Sequence, residues 1–131
     1  MTSQSSLDEA INQILETYVE AFEAADADQM AALFWLEDPR FKEVENHIAE
    51  PFGSRTYMGI LDWIRKHQEP GWRMLFYDTC IYPLGDDVAY SISMRDTDEN
   101  GHKETSRVSL LYLRKGGEWR IIHGHFSHVP G

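Results

Sequence analysis

His123 and His125 stand two residues apart in the run Trp119-Arg120-Ile121-Ile122-His123-Gly124-His125-Phe126-Ser127. On an extended strand that spacing points both imidazoles to one side. Such a pair can act as general base and partner near neutral pH. With a third group, such as Glu45 or His47, it could instead ligate a metal. A third possibility is that the two rings only hydrogen-bond their own strand and its neighbours into place. Asp78 and Arg95 are a second candidate. An aspartate oriented by an arginine can give or take a proton, and the same two groups can equally form a buried ion pair that satisfies only itself. Glu43, Glu45 and His47 alternate along a third stretch, where a solvated edge strand is the simpler reading. There is no Gly-rich phosphate loop, no Cys-x-x-Cys pair and no Gly-x-Ser-x-Gly elbow. No cofactor or bound metal is therefore expected, and Cys80 shows no local sign of activation.

These groups need elements to hold them. Ser6-Leu7-Asp8-Glu9 reads as a capping box, which leaves residues 1–5 as a disordered tail. Leu7, Ile11, Ile14, Leu15, Tyr18, Phe22 and Ala25 then form the apolar stripe of a long amphipathic helix. Asp26 or Asp28 caps a short helix over Gln29 to Phe34. Asp38-Pro39 ends it, and Phe41 to Ile48 is a candidate strand with Phe41, Glu43, Glu45 and His47 on one face. Gly59 leads into a third helix, Ile60 to Gln68, stopped by Pro70-Gly71. Four strands follow, at Trp72–Tyr82, Asp87–Arg95, Glu104–Arg114 and Trp119–Ser127. The turns between them include Asn100-Gly101 and Gly116-Gly117, which favour tight hairpins. The fold class is α+β, built on an antiparallel meander.

Two-residue turns fix a register. Lys115 then faces Glu118, Leu110 faces His123, Glu99 faces His102 and Arg95 faces Ser106. One face collects Ser91, Ser93, Arg95, Ser106, Leu110, Tyr112, His123 and His125, with Phe76, Asp78 and Cys80 from the first strand. The other, with Tyr90, Ile92, Met94 and Leu111, is a packing face. Polar groups converging in an apolar setting mark the first face as a candidate pocket.

The Trp119–Ser127 run resembles the last strand of the SnoaL-like branch of the nuclear-transport-factor-2-like superfamily, where a Trp precedes an apolar pair and His-x-His-x-Ser. The association domain of calcium/calmodulin-dependent protein kinase is similar there. Gly85-Asp86-Asp87-Val88-Ala89-Tyr90 resembles the family's Gly-Asp turn into a long strand. The resemblance implies a cone-shaped fold, one long and two short helices on a strongly bent sheet, and a pocket at the open end. It also implies a homodimer through the outer sheet face. The family includes ketosteroid isomerases, polyketide cyclases, epoxide hydrolases, dehydratases and non-catalytic assembly modules, so fold does not fix activity. Arg95 matches a pocket arginine of the kinase domain, whereas Leu110 replaces a second one. Tyr18 falls where the family often places a hydrogen-bonding tyrosine. Ketosteroid isomerases carry their carboxylate near Glu43–His47, without a motif that matches it residue by residue.

Composition bounds what remains. The chain has 131 residues, a one-domain length. A net charge of -10 disfavours nucleic acid and anionic membranes. A single cysteine and a polar start without a signal-peptide pattern suggest the cytoplasm. Four Trp, six Tyr and six Phe could wall an organic ligand. The expectation is a small-molecule-binding domain: an isomerase, cyclase or hydrolase acting by proton transfer on an apolar substrate. His123 or Asp78 would be the base, with Arg95 and Tyr18 polarising a substrate oxygen. Phe22, Trp35, Tyr57, Trp63, Phe76, Ser91, Ser93, Leu110, Tyr112 and His125 would line the pocket. The alternative is a non-catalytic association module.

Overall fold

Ser3 starts the first helix. The structure, a computed structural model, describes residues 3–130. The Ser3 hydroxyl accepts from the Ser6 amide at 3.1 Å and caps α1 (Gln4–Ala24). Ser3 thus supplies capping chemistry one turn earlier than the expected box. Gln4 and Ser5 are helical rather than disordered, and the expectation for Met1 and Thr2 lies outside the described residues. The buried face of α1 is Leu7, Ile11, Ile14, Leu15, Tyr18 and Ala21, as its periodicity requires.

Asp26 caps α2 (Ala27–Ala31), accepting from the Gln29 amide at 3.0 Å. The helix ends before Phe34, which bridges instead to Ile121. After β1 (Lys42–Glu45), α3 (Ser54–His67) starts at Gly53, not at Gly59, which lies within it. Arg65, Lys66 and His67 occupy its last turn, complementing the helix dipole. The strands β2 (Arg73–Pro83), β3 (Val88–Glu99), β4 (His102–Lys115) and β5 (Glu118–His128) complete the chain.

The sheet runs β1-β5-β4-β3-β2. β2 to β5 form the antiparallel meander, while β1 joins β5 in parallel, which the antiparallel expectation did not include. At the hairpins the register follows the turn chemistry: Glu99 faces His102, Arg95 faces Ser106 and Lys115 faces Glu118. Asn100, Gly101, Gly116 and Gly117 all have positive φ, as such turns demand.

Two bulges break the alternation. In β5, Tyr112 pairs with Ile121 while Leu111 pairs with His123, so Ile122 is an extra residue. Ile121 and Ile122 are both buried, and every residue beyond them changes face. Leu110 therefore faces Gly124, not His123. In β2, Asp78 and Thr79 both oppose Ser93, and Asp78 takes a left-handed φ of 53°. Asp78 and Cys80 consequently leave the inner face and are exposed.

Both outer edges of the sheet are occupied. The Gln4 amide donates to the Ile81 carbonyl at 3.2 Å, and the Glu23 carboxylate accepts from the Met74 amide at 3.0 Å. The two ends of α1 thus take backbone groups of β2. At the other edge, Glu43 and Phe52 exchange two backbone hydrogen bonds of 2.8 and 2.9 Å. The core between sheet and helices is continuous from Leu7 to Phe126.

Candidate functional site

A cavity of about 460 Å³ opens between the inner sheet face and the helices. Glu43 reaches it from β1. Alternation puts Glu43 on the same side as Phe41, and the two are 2% and 1% exposed. Its neighbour across the parallel pair is Gly124, which has no side chain to cover it. Glu43 Oε1 has no hydrogen-bond partner. Burial first, then the nearby Glu45 carboxylate, push the Glu43 carboxyl up to about 8, and Arg95 opposes the shift.

Arg95 reaches the cavity from β3. Its guanidinium lies 4.6 Å over the Phe126 ring, and its Nε is unpartnered. Among the described residues no ion pair holds it. Tyr18, from α1, stands beside Arg95, with its ring edge-on to Phe34 and Phe76. Burial pushes the Tyr18 hydroxyl well up, so it stays protonated and can donate. Glu43, Arg95 and Tyr18 therefore bring three hydrogen-bonding groups to one apolar space. Phe22, Tyr57, Trp63 and Trp72 form the aromatic wall, with Trp72 centred 5.7 Å from Phe22 and 6.4 Å from Trp63.

The other end is polar. Glu104 bridges two histidines, Oε2 to His47 Nε2 at 3.1 Å and Oε1 to His102 Nε2 at 3.2 Å. Glu45, Glu99 and His128 also line this cavity. Burial and the Glu104 carboxylate raise the Glu99 carboxyl.

Of the residues singled out in the sequence, Tyr18, Phe22, Glu43, Glu45, His47, Tyr57, Trp63, Arg95 and Ser106 line the cavity. The other site candidates do not. The Ile122 bulge turns His123 and His125 outward. His123 Nδ1 donates to the Lys42 carbonyl at 2.9 Å, and His125 is exposed opposite Ser109. Asp78 lies in its own bulge and makes no pair with Arg95. Trp35 is buried elsewhere, donating to the Leu113 carbonyl at 2.9 Å between Lys115 and Arg120. Ser91 and Tyr112 satisfy each other at 2.7 Å, and Ser93 and Leu110 are buried beneath the sheet surface. Phe76 packs on Tyr18. Among the described residues no three His, Cys, Asp or Glu side chains are arranged to hold a metal ion.

The sequence reading passed over Glu43 as solvated. The signal was Phe41, an apolar residue on the same face of the strand, which marks that face as inward. Trp72, Thr97, Phe126 and His128 were also missed, the last two because the bulge reverses their strand.

A long helix on a bent sheet around such a cavity defines the nuclear-transport-factor-2-like, or cystatin-like, fold. Solved structures agree. An NTF2-like protein of unknown function from Pseudomonas putida superposes with a TM-score of 0.78 at 20% identity, over 97% of this chain and 89% of that one. The association domain of C. elegans CaMKII gives 0.77 at 18% identity, over 95% and 97%. An NTF2-like protein from Streptomyces avermitilis, provisionally named a dehydratase, gives 0.77 at 15% identity, over 98% and 100%. No functionally curated protein is significantly similar in sequence. The SnoaL-like domain family matches residues 11–130, and the chain belongs to that family. No helix among the described residues is long and apolar enough to cross a membrane.

Proposed function

We propose that the chain, as a single domain, binds a small and largely apolar, oxygen-bearing organic compound in this cavity and moves a proton at it without a cofactor. Isomerisation, cyclisation and hydrolysis all fall within that chemistry. The observation that carries the reading is Glu43: a buried carboxyl with an unpartnered oxygen, lining an aromatic cavity with Arg95 and Tyr18. It takes the role first considered for His123 or Asp78. Below about pH 8 Glu43 holds its proton and can donate it, and its ionised form is a strong base for a neighbouring C–H. Arg95 and Tyr18 stabilise negative charge developing on the substrate oxygen. Each well-placed group contributes about a hundredfold or more.

The test is a thermal-shift screen of cyclic enones, epoxides and lactones, followed by turnover assays on the stabilising class. A ligand of the native state raises its melting temperature. Arg95→Ala and Tyr18→Phe are expected to weaken binding, while Glu43→Gln binds but does not turn over. Unchanged turnover in Glu43→Gln refutes the role.

The outer sheet face supports a second, compatible reading. Tyr90, Ile92, Met94 and Leu111 lie on it, with Ile92 50% exposed. We infer a homodimer formed through this face, in line with the likeness to the kinase association domain. The single cysteine supports a cytoplasmic setting.

A further inference from the structure

The cavity lining carries more acid than its guanidinium balances. Glu43 and Glu45 reach it from β1, Glu99 from β3 and Glu104 from β4, against Arg95 alone. With Glu43 protonated, three carboxylates still face one guanidinium. Glu104 is already engaged by His47 and His102, but Glu45 is not tied down in this way. His128 stands beside Glu104, and the phenols of Tyr18 and Tyr57 complete the titratable groups.

Two of the carboxyls sit where ionisation is resisted. Burial and Glu45 hold the proton on Glu43, and burial and Glu104 raise the Glu99 carboxyl above its ordinary value. A positive charge placed among them would favour the ionised form of both. Glu43 supplies an independent sign of a binding site: it lines the cavity at 2% exposure, and its buried Oε1 has no partner. The Arg95 guanidinium lies over the Phe126 ring, and no hydrogen bond joins it to that oxygen. The aromatic wall adds to the preference, since the ring faces of Phe22, Tyr57, Trp63 and Trp72 attract cations.

We propose that the molecule this cavity selects carries a protonated amine on its apolar body, seated against the carboxyls of Glu43, Glu45 and Glu99, and that anionic analogues are refused. The proposal rests on the reading of the cavity as a small-molecule site. It adds the charge of the ligand, and it implies that the ligand's arrival drives a proton off Glu43.

The experiment uses three probes of one shape: phenethylamine, phenethyl alcohol and 3-phenylpropionate. They are titrated calorimetrically into the full chain near neutral pH, where the first is a cation and the last an anion. The amine is expected to bind about tenfold or more tighter than the alcohol, and the carboxylate weakest. Glu45→Gln and Glu99→Gln should each weaken the amine several-fold, by about one opposite charge's attraction, and leave the alcohol unchanged. The amine's binding heat should differ between Tris and phosphate buffers, reporting a released proton, and Glu43→Gln should abolish that difference. The proposal is overturned if the carboxylate matches the amine, if the amine's advantage survives in the Glu45→Gln/Glu99→Gln double variant, or if no proton is released. If alcohol and amine bind equally, the cavity reading stands and the amine falls. If none of the three binds, both fall together.

Discussion

Replacing Glu43 with glutamine isolates one buried proton. The wild-type carboxyl is displaced from 4.5 to about 8, chiefly by burial. Below about pH 4.5 it is protonated in the folded and the unfolded chain, and its stabilising contribution relative to the ionised form is complete. As pH rises, the unfolded chain gives up the proton while the folded chain keeps it. Stability then falls by about 1.4 kcal/mol per pH unit until about pH 8, where the folded carboxyl also ionises. The whole interval corresponds to about 5 kcal/mol, and roughly 3 kcal/mol of it is already lost at pH 7. Glutamine has nearly the same shape and does not titrate. Urea unfolding of both proteins between about pH 5 and pH 9 measures the difference, because every other titrating group is common to the pair. The glutamine variant is expected to gain on the wild type steadily with pH, with the gap levelling off above pH 8. Parallel stability curves would show that Glu43 is solvated or ion-paired, and would remove the basis for its proposed chemistry.

Three further outcomes follow from single contacts. Tyr112→Phe strands the buried Ser91 hydroxyl and should cost about 1–2 kcal/mol in denaturant unfolding, with ligand binding intact. Asp38 accepts from Arg40 at 2.8 Å and Lys115 at 2.7 Å, which hold its carboxyl well below the usual range. That contribution is present above an ordinary aspartate pKa and lost as pH falls through the lowered one, so Asp38→Asn should lower the melting temperature at neutral pH and converge with the wild type in strong acid. In Gly124→Ala the new Cβ would lie 3.0 Å from Phe126 Cε2 and 3.1 Å from Leu110 Cδ2. It should destabilise by about 1–3 kcal/mol and weaken ligand binding, because Phe126 carries Arg95.

Much of the architecture was legible because local chemistry and tertiary structure agree. The α1 stripe names its own buried face, and Asn100-Gly101 and Gly116-Gly117 dictate the hairpin registers at their own ends. What was illegible turns on single residues. A bulge has no turn signal, and Ile121-Ile122 reads as one inward and one outward residue until both are seen buried. That extra residue moved His123 and His125 to the outside and put Gly124 and Phe126 on the cavity side. Asp78 was lost the same way, through a left-handed residue inside a strand. Glu43 was missed for a different reason. Glutamate is rarely buried, so composition argued for solvent while the face shared with Phe41 argued for the interior. The helix start at Gly53 was hidden because it has no side-chain cap.

The occupied sheet edges bear on how this molecule can meet others. An open strand edge invites addition of a foreign strand, by a second copy or by an aggregate. Here Glu23 and Gln4 take backbone groups near the two ends of β2, the Asp78 bulge kinks its middle, and Phe52 pairs with the free side of β1. Neither border offers a regular ladder for another chain to join. Open-ended strand stacking is thereby disfavoured, and the broad faces of the sheet are the larger surfaces left for contact.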